Sequence, residues 1–559
     1  MNRFYRLLAY GYLPKELPPI FFSGYFAKEV KQSYSDLSTI IKSKWSKPSK
    51  YLLQQRARYK RPTSIMHPSA IAKIADSISN NYEEITQTID QGSISVSKPR
   101  FNRKTKFQRA VSSQDIGSTI KEKKLLLRSS FPIILKCDVK NYYKSIYTHS
   151  IPWAIHGKEY SKINHKSPIA GNQIDSAIRQ GQDGQTIGIP VGPDTSFIIG
   201  EIILASVDKE LGFDHEKAIR FYDDYEFGCN SELEAESIIE HLENILAQFE
   251  LELNHDKTII IKGPNPIENS WRQVLNSHIV RKDIIKSEDY IDLFNITSDL
   301  AKANKSDFVF KYFIRSMRRT IITERNWPIW QNILFAIAFA DFGNLRVIYE
   351  QLDLYERIGY KINKKALQNL LETKAHQEFK TGITSELSWV LFGLYKFKIK
   401  PARELIDKVL KSGDDVSRIL AIKIAKDKRI GIKKNIESFK DYLGDNSARG
   451  DHWFLLWEIY INGWLKDRDL KNELLSENIF EFLNTHKVTF LRDTDVDLFE
   501  IPKLFRNEIA KNKGQDALAK LLAEIRERFP DTKESDLDSG DTEQETKTDS
   551  DDEDSDFFY

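Results

Sequence analysis

The chain has 559 residues, of which 83 are Lys or Arg and 81 are Asp or Glu, and its formal net charge is only +2. This near-neutral sum hides an asymmetry, because residues 531–559 hold thirteen acidic residues against two lysines, which leaves +13 on residues 1–530. The hydrophobic fraction of 40% excludes a largely disordered chain, two cysteines exclude a disulfide scaffold and a Cys-rich metal site, and a basic body joined to an acidic tail favours nucleic acid as a partner.

Few segments of the first hundred residues carry a clear pattern. Pro14, Pro18 and Pro19 prevent a continuous helix near the N-terminus, whereas isoleucines at helical spacing predict a helix over residues 70–89. Residues 98–109 then indicate a basic loop without anions, whose cations are Lys98, Arg100, Arg103, Lys104, Lys106 and Arg109.

Strand and helix patterns alternate in the next part of the chain. Residues 132–138 predict a buried strand that ends on an acid, Asp138. A loop rich in Gly and Pro over residues 182–193 then leads into an apolar helix, which Gly212 ends.

An acidic hairpin follows this helix. Residues 218–222 and 225–229 predict its two strands, with Asp223 and Asp224 as the turn between them. The pattern then predicts an amphipathic helix and a further strand, over residues 232–250 and 251–262.

Helical patterns dominate after residue 267. Short apolar-faced segments between polar turns indicate stacked helical hairpins, similar to an α-solenoid of HEAT-like repeats, over residues 327–339, 386–397, 402–410, 416–425 and 453–464. The longest apolar run, residues 333–340, is shorter than the roughly 18 residues that span a bilayer, so we expect no membrane partner. The N-terminus shows no secretory signal pattern, and we expect a cytoplasmic location.

Three carboxylates stand where phosphoryl-transfer chemistry would use them. Asp138 ends a strand, whereas Asp223 and Asp224 are adjacent on a turn and repel each other until a cation binds. Mg²⁺ prefers a few hard oxygen ligands together with substrate phosphates, and two such ions roughly 3.5–4 Å apart can activate an attacking oxygen and stabilise a leaving one. An Asp-Asp pair alone is usually a polar turn, but the order of strand, loop, helix and hairpin is more specific.

Taken together, these segments resemble the palm motifs of reverse transcriptases. The family's first motif, an Asp followed by paired aromatics, appears as DVKNYYKSI at residues 138–146, and its aromatic-x-Asp-Asp signature appears as FYDD at 221–224. Its Pro-x-Gly-x-x-x-Ser loop appears as PVGPDTS at 190–196, and its Leu-Asn-x-x-Lys-Thr motif appears as LNHDKT at 253–258. The resemblance covers approximately residues 95–265.

Other stretches are similar to the abortive-infection and related defence-associated bacterial reverse transcriptases. These are GYLPKELP at 11–18, SIYTHSIPW at 145–153 and GIPVGPDTS at 188–196. That group replaces the polymerase thumb with a helical-repeat domain, and the helical region here, with SWVL at 388–391 and WFLL at 453–456, is similar to it. The resemblance therefore implies a role in antiphage defence.

The resemblance also implies a fold class and a domain organisation. The expected fold is α/β followed by all-α. A fingers and palm domain would cover residues 1–275, with the palm core at 131–265, and a helical-repeat domain in place of the thumb would cover 276–530. A disordered acidic tail would cover 531–559, either as a solubilising end or as a nucleic-acid mimic that restrains the enzyme.

A two-metal site follows from the same resemblance. Asp138, Asp223 and Asp224, together with the backbone carbonyl of Val139, would hold two Mg²⁺ ions, with Mn²⁺ as an alternative ion. Lys257 would protonate or stabilise the leaving pyrophosphate, although a surface lysine explains the residue equally well.

The dNTP site is implied by further motif positions. Tyr143 falls where the family places the aromatic that stacks under the sugar and excludes a 2′-OH. Arg109 and some of Lys98, Arg100 and Arg103 match the fingers cations that would grip the triphosphate, with a solvated basic loop as the alternative. Pro190 and Gly192 belong to the loop beside the nucleotide.

Val191 departs from the family pattern. Templated reverse transcriptases often have Gln there, and that Gln helps to position the nucleotide and the template strand. An apolar residue suggests altered template handling, so untemplated or protein-primed synthesis is our hypothesis. The leading interpretation is a Mg²⁺-dependent DNA polymerase that uses dNTPs and acts in bacterial defence.

Two alternatives stay open. The chain could be a conventional RNA-templated reverse transcriptase that copies a bound non-coding RNA, against which the missing thumb pattern and Val191 argue. It could also be a catalytically silent helical-repeat scaffold, against which the three intact acids argue. Relatives often form homo-oligomers, but no coiled-coil pattern in this chain indicates one.

Overall fold

A computed structural model gives the fold of the protein. The described residues are 2–42, 45–54, 60–102, 109–115, 117–264, 266–279, 286–305, 307–319, 322–357, 359–444, 446–492 and 498. Arg103, Lys104 and Lys106 of the basic loop lie outside them, as does the acidic tail at 531–559. The described residues form two compact units, one within residues 1–267 and 371–496 and the other within residues 268–370, and the predicted boundary at 275 stays a prediction.

Eight short strands form three antiparallel sheets within the described residues. In chain order they are β1 Ser49–Gln54, β2 Lys60–Ile65, β3 Pro99–Phe101, β4 Val111–Ser113, β5 Ile133–Asp138, β6 Ala218–Phe221, β7 Asp224–Cys229 and β8 Ile259–Lys262. Strand β1 pairs with β2 and β3 pairs with β4, while the other four form one sheet in the order β6-β7-β5-β8. The fold is therefore largely helical with small sheets.

Helices make up most of the larger unit. Before residue 267 they are Arg3–Tyr10, Gly24–Gln32, Leu37–Ile40, Pro68–Asn80, Tyr82–Asp90, Gly117–Ser130, Tyr142–Ser145, Ser150–His156, Lys158–Ile163, Ala170–Gln180, Asp194–Leu211 and Glu232–Gln248. After residue 371 they are Ser385–Lys396, Arg403–Ser412, Asp415–Asp427, Lys433–Glu437, Trp453–Ile461, Arg468–Leu475 and Asn478–Thr485. Short 3-10 turns lie at Tyr34–Asp36, His255–Lys257, Ser438–Tyr442 and Ser447–Arg449.

The smaller unit is helical throughout its described part. Its helices are Ser270–Ile279, Ser287–Ala303, Val309–Ser316, Trp327–Ala340 and Leu345–Arg357, with 3-10 turns at Met317–Arg319 and Phe342–Asn344. Helix Lys364–Thr381 runs across the boundary between the units. The predicted helices after residue 267 are confirmed, whereas their arrangement as a solenoid stays a prediction. None of the helices in the described part of the chain combines the length and the apolar character that a bilayer span requires.

Two predicted elements differ from the observed ones. The helix expected over residues 70–89 is two helices, because the backbone leaves the helical conformation at Asn81. The strand expected over residues 251–262 is shortened to β8, because His255–Lys257 forms a 3-10 turn before it.

The apolar helix Asp194–Leu211 is buried along nearly its whole length. It packs against the helices Tyr82–Asp90, Ser150–His156 and Glu232–Gln248, so apolar residues are needed on most of its sides. Gly212 ends it with φ +70°, a conformation that costs glycine little. This helix is the element from which several side chains of the candidate site project.

The four-stranded sheet has one face covered by helix Gly117–Ser130. Leu127 of that helix packs with Ile134, Ile219 and Phe221 of the sheet and with Val96 in one buried cluster. The helix covers this face of the sheet with apolar side chains. Polar side chains lie instead at the end of the sheet, where β5 ends at Asp138.

The helices that follow residue 371 hold the N-terminal part of the same unit. The Tyr51 hydroxyl lies 2.7 Å from Ser388 Oγ, and Ser49 Oγ donates to Asp415 Oδ2 over 3.0 Å. The indole of residue 389 donates to the carbonyl of residue 16 over 2.9 Å. Long-range polar contacts thus join segments that are more than 300 residues apart in the chain.

Replacing Tyr51 with Phe is expected to lower the free energy of unfolding by about 1 kcal/mol. Ser388 Oγ already donates to the Ser385 carbonyl, so the fully buried Tyr51 hydroxyl is the donor to Ser388, and Phe lacks that donor. Urea unfolding measures the change. Tyr160→Phe, at an exposed side chain, is the control, and equal stability of the two variants would contradict the assignment.

Candidate active site

The three candidate carboxylates lie at one end of the four-stranded sheet. Strand β5 ends at Asp138 and β7 begins at Asp224, and the two residues are directly paired across the antiparallel ladder. The Val139 amide donates to the Asp223 carbonyl over 3.2 Å. The structure therefore brings the separate sequence motifs together at this edge.

The hairpin turn lies one residue earlier than predicted. Its two loop residues are Tyr222 and Asp223, whereas Asp224 already belongs to β7. Tyr222 has φ +54°, an unusual conformation for an aromatic residue. Its amide donates to Ser97 Oγ over 2.8 Å, so tertiary contacts hold the turn.

Asp138 is buried and both of its carboxylate oxygens have partners. Asn254 Nδ2 donates to Oδ1 over 2.9 Å, and Lys257 Nζ donates to Oδ2 over 2.7 Å. Although desolvation lowers the pKa of Lys257, the hydrogen bond to Asp138 and the nearby carboxylates raise it overall. Lys257 therefore stays protonated beside the predicted metal ligands.

The remaining carboxylates have raised pKa values. Asp224 keeps contact with solvent, but the protein around its carboxyl removes much of its hydration. This desolvation, followed by the charges of Asp223 and Asp138, raises the pKa of Asp224 to about 7. Burial also raises the pKa of Asp223, with the Asp138 charge adding to the effect and Lys257 opposing it. The ionised forms repel each other, which is the condition that a bound cation relieves.

The donor set fits a hard divalent cation by its chemistry. Carboxylate oxygens are the ligands that Mg²⁺ prefers, and three carboxylates share one edge of the sheet. Among the residues that the structure describes, no group of three or more His, Cys, Asp or Glu side chains has converged into metal-ligand geometry. Both oxygens of Asp138 are bonded to Asn254 and Lys257, so cation binding would rearrange these contacts.

Val139 lies next to the carboxylates on the backbone. It faces Leu253 in an isolated antiparallel bridge. The Asn254 amide, beside this bridge, donates to the Asp138 carbonyl over 2.8 Å, so that carbonyl already accepts a backbone hydrogen bond. A ligand role for the Val139 carbonyl stays a prediction.

Tyr143 lies on the short helix Tyr142–Ser145, beside the buried helix Asp194–Leu211. A Cβ added at Gly200 would lie 3.1 Å from Tyr142 Cε1 and 3.3 Å from Tyr143 Cε1, so glycine lets the two rings approach this helix. The Ile189 amide donates to the Tyr143 carbonyl over 2.8 Å. Tyr143 and the loop that contains Pro190 are thereby brought together, and Gly200 is a residue that the sequence analysis missed.

The predicted nucleotide loop is held by contacts on both sides. The Pro190 carbonyl accepts a hydrogen bond from Ser196 Oγ, and the Val191 carbonyl accepts one from the Ser64 amide of β2 over 2.8 Å. Gly192 has φ +128°, and a Cβ there would lie 2.8 Å from the nearest side-chain atom, the Cγ of residue 14. Both features favour glycine at this position.

The Arg109 guanidinium is bound to the protein itself. It donates to Asp194 Oδ1 over 2.7 Å, to the Leu13 carbonyl over 2.6 Å and to the Gly192 carbonyl over 3.1 Å, with a longer contact to Gly11. These contacts tie the nucleotide loop to the N-terminal segment. A triphosphate would have to displace them, so the geometry assigns Arg109 to holding the loop, and its predicted dNTP role stays untested.

Arg100, another predicted triphosphate cation, lies on the small sheet of β3 and β4. It is paired with Ser112 across that sheet, and its side chain is exposed. The structure does not connect it to the carboxylates, so its predicted role in dNTP binding also stays a prediction.

Arg61 of β2 is a cation near the carboxylates that the sequence analysis missed. Its charge lowers the pKa of Asp223, although other causes raise that pKa overall. Strand β2 reaches the site because the Ser64 amide bonds to the Val191 carbonyl of the nucleotide loop. Arg61 ends a second run of cations without anions, formed by Arg56, Arg58, Lys60 and Arg61, and this run is the local signal that the sequence analysis did not use.

Comparisons with known proteins give low similarity. No protein-family model matches the chain, and none of the curated proteins does. Among solved structures, the apo telomerase of Candida tropicalis is 13% identical, with 86% of this chain and 77% of that chain covered and a TM-score of 0.31. The telomerase of Candida albicans in complex with a TWJ fragment of telomeric RNA is 11% identical, with 75% and 68% covered and a TM-score of 0.28. Likeness at this level does not establish a family.

Asp224→Asn is expected to flatten the pH dependence of stability of the metal-free protein. Because the folded-state pKa of Asp224 is raised from 3.8 to about 7, the folded chain binds the proton more tightly and loses stability as pH rises through that range. Thermal unfolding in a chelator should give similar midpoints for variant and wild type near pH 4 and a higher midpoint for the variant near pH 8. Asp451→Asn is the exposed control, and parallel pH curves for all three proteins would refute the expectation.

Arg109→Lys is expected to destabilise the protein by about 2 kcal/mol, because lysine cannot reproduce the forked contacts to Asp194, Leu13 and Gly192. Urea unfolding measures the loss, and Arg100→Lys should leave stability unchanged. A stable Arg109→Lys protein with weakened dNTP binding would instead assign the guanidinium to the triphosphate.

Proposed function

We propose that the chain is a Mg²⁺-dependent nucleotidyltransferase of reverse-transcriptase type that builds DNA from dNTPs. The observation that supports this most directly is the pairing of Asp138 with Asp224 at the end of the sheet, with Asp223 joined to the same edge by its backbone. The raised pKa values of Asp223 and Asp224 are those of carboxylates whose ionised forms need a counter-charge.

Asp138, Asp223 and Asp224 would hold the cations, with the Val139 carbonyl as a further ligand. Two bound divalent ions would lower the pKa of the attacking hydroxyl and neutralise charge on the leaving pyrophosphate. Despite desolvation, the three acids raise the pKa of Lys257, so its Nζ would stay protonated and would stabilise or protonate the leaving pyrophosphate. The aromatic ring at position 143, resting against the glycine at position 200, would lie under the sugar of the dNTP.

Template use is the finer part of the proposal. The backbone of Val191 is held by Ser64, and its side chain offers no polar group to a base or a phosphate. This supports untemplated or protein-primed synthesis over templated copying. We place the activity in antiphage defence, with a helical-repeat domain in place of a thumb, on the sequence resemblance alone.

An RNA template is the second candidate, favoured by the charge of +13 on residues 1–530, which suits a polyanionic partner. The two candidates differ in their nucleic-acid requirement. Ribonuclease treatment of the purified protein before the assay would abolish RNA-templated synthesis and would leave untemplated synthesis intact.

The double variant Asp223→Asn with Asp224→Asn is expected to abolish incorporation of labelled dNTPs in Mg²⁺, a loss of at least about 1,000-fold if two-metal catalysis operates. Asp256→Asn, an exposed neighbour of Lys257, is the matched control. Product from the double variant at the wild-type rate would contradict the proposal. Phage protection that survives the double change would favour a binding scaffold over a polymerase.

A further inference from the structure

A buried arginine stands directly behind the carboxylate turn. Arg220 lies on β6, two residues before Tyr222, and its side chain is completely buried. Its guanidinium donates to Asp208 from Nε over 2.9 Å and from Nη2 over 2.7 Å, and to both oxygens of Glu201 over 2.8 and 3.0 Å. The two acids are seven residues apart, so they share one side of helix Asp194–Leu211.

The fifth donor of this guanidinium reaches the turn. Nη1 donates to the Tyr222 carbonyl over 2.8 Å, in addition to its bond to Glu201. All five N–H groups of Arg220 are therefore engaged, and a lysine has too few donors in the wrong geometry to replace them. Tyr222 is the residue with φ +54°, a conformation that an aromatic residue does not favour by itself.

The buried cluster around Arg220 contains more negative than positive charge, so its stability depends on additional hydrogen-bond donors. One guanidinium faces two buried carboxylates, and the extra negative charge is met by hydroxyl donors. Ser95 Oγ donates to Glu201 over 2.5 Å, and the Tyr225 hydroxyl donates to Asp208 over 3.2 Å. Such a network stabilises one arrangement only when every member is bonded.

We infer that Arg220 is the positioning residue of the candidate site. By fixing the Tyr222 carbonyl against helix Asp194–Leu211, it fixes the backbone that places Asp223 and Asp224 opposite Asp138. It touches neither a substrate nor a cation, and it acts through the turn. The inference rests on the proposed cation site but not on polymerase activity.

The test measures cation binding by the full chain directly. Terbium(III) binds carboxylate oxygens and emits when a nearby tyrosine, here Tyr222, transfers energy to it. Arg220→Lys is expected to weaken terbium binding by about tenfold or more, the usual effect of removing a residue that orients metal ligands. In a dNTP assay the same variant should raise the Mg²⁺ concentration for half-maximal rate and leave the KM for dNTP unchanged.

Arg128→Lys is the matched control. Arg128, on helix Gly117–Ser130, makes a comparable forked contact with a strand of the same sheet. Its Nη2 lies 2.9 and 2.8 Å from the two carboxylate oxygens of Glu226, and its Nη1 donates to the Pro266 carbonyl over 2.7 Å. Glu226 follows Asp224 by two residues on β7, but the hydrogen bonds of Arg128 go to Glu226 and Pro266 and not to Tyr222, Asp223 or Asp224. The control should therefore lose similar stability and keep terbium affinity, and near-UV circular dichroism confirms that each variant is folded.

Should Arg220→Lys fail to fold, Glu201→Gln keeps the volume and removes one acceptor, and it should weaken terbium binding in the same direction. Wild-type affinity in a folded Arg220→Lys protein, or equal losses in Arg220→Lys and Arg128→Lys, would overturn the inference. Terbium binding by the wild type without any dNTP incorporation would instead count against the proposed polymerase and leave the role of Arg220 to be judged by affinity alone.

Discussion

The guanidinium of Arg220 joins the carboxylate turn to a helix that is buried along nearly its whole length. Burying one cation with two carboxylates is unfavourable unless every polar atom is bonded, and here all five donors have acceptors. Removing the cation would leave Glu201 and Asp208 buried and uncompensated, at a cost of about 3–5 kcal/mol. These buried hydrogen bonds, and not the two turn residues alone, therefore fix the position of the turn.

Helix Asp194–Leu211 contacts several parts of the candidate site. Its first residue binds Arg109 and so holds the nucleotide loop, and Gly200 in its middle supports the Tyr142 and Tyr143 rings. Glu201, next to Gly200, and Asp208, seven residues further along the helix, bind Arg220. Because these contacts come from one rigid helix, the loop, the two aromatic rings and the turn are positioned relative to one another.

Much of this site is predictable from local pattern. The apolar run before Asp138 predicts the strand that ends there, and the strand-turn-strand pattern predicts the acidic hairpin. The same pattern places the turn one residue late, because nothing in the identity of Tyr222 shows that its backbone adopts a left-handed conformation. The family resemblance implies a triphosphate contact for Arg109 and the local pattern a solvated basic loop, since nothing in that loop shows that Asp194, 85 residues away, accepts from it.

Hydrophobic periodicity and turn propensity are enough to predict the secondary-structure elements and the functional groups that they carry. These are an acid at the end of a buried strand, an acid pair on a hairpin, a glycine-rich loop and a basic body. The packing of distant segments decides which cations lie near the carboxylates and which ones instead bind acceptors within the protein. That choice depends on long-range burial, because a guanidinium surrounded by protein acceptors, as in Arg109 and Arg220, looks the same in sequence as one that faces solvent.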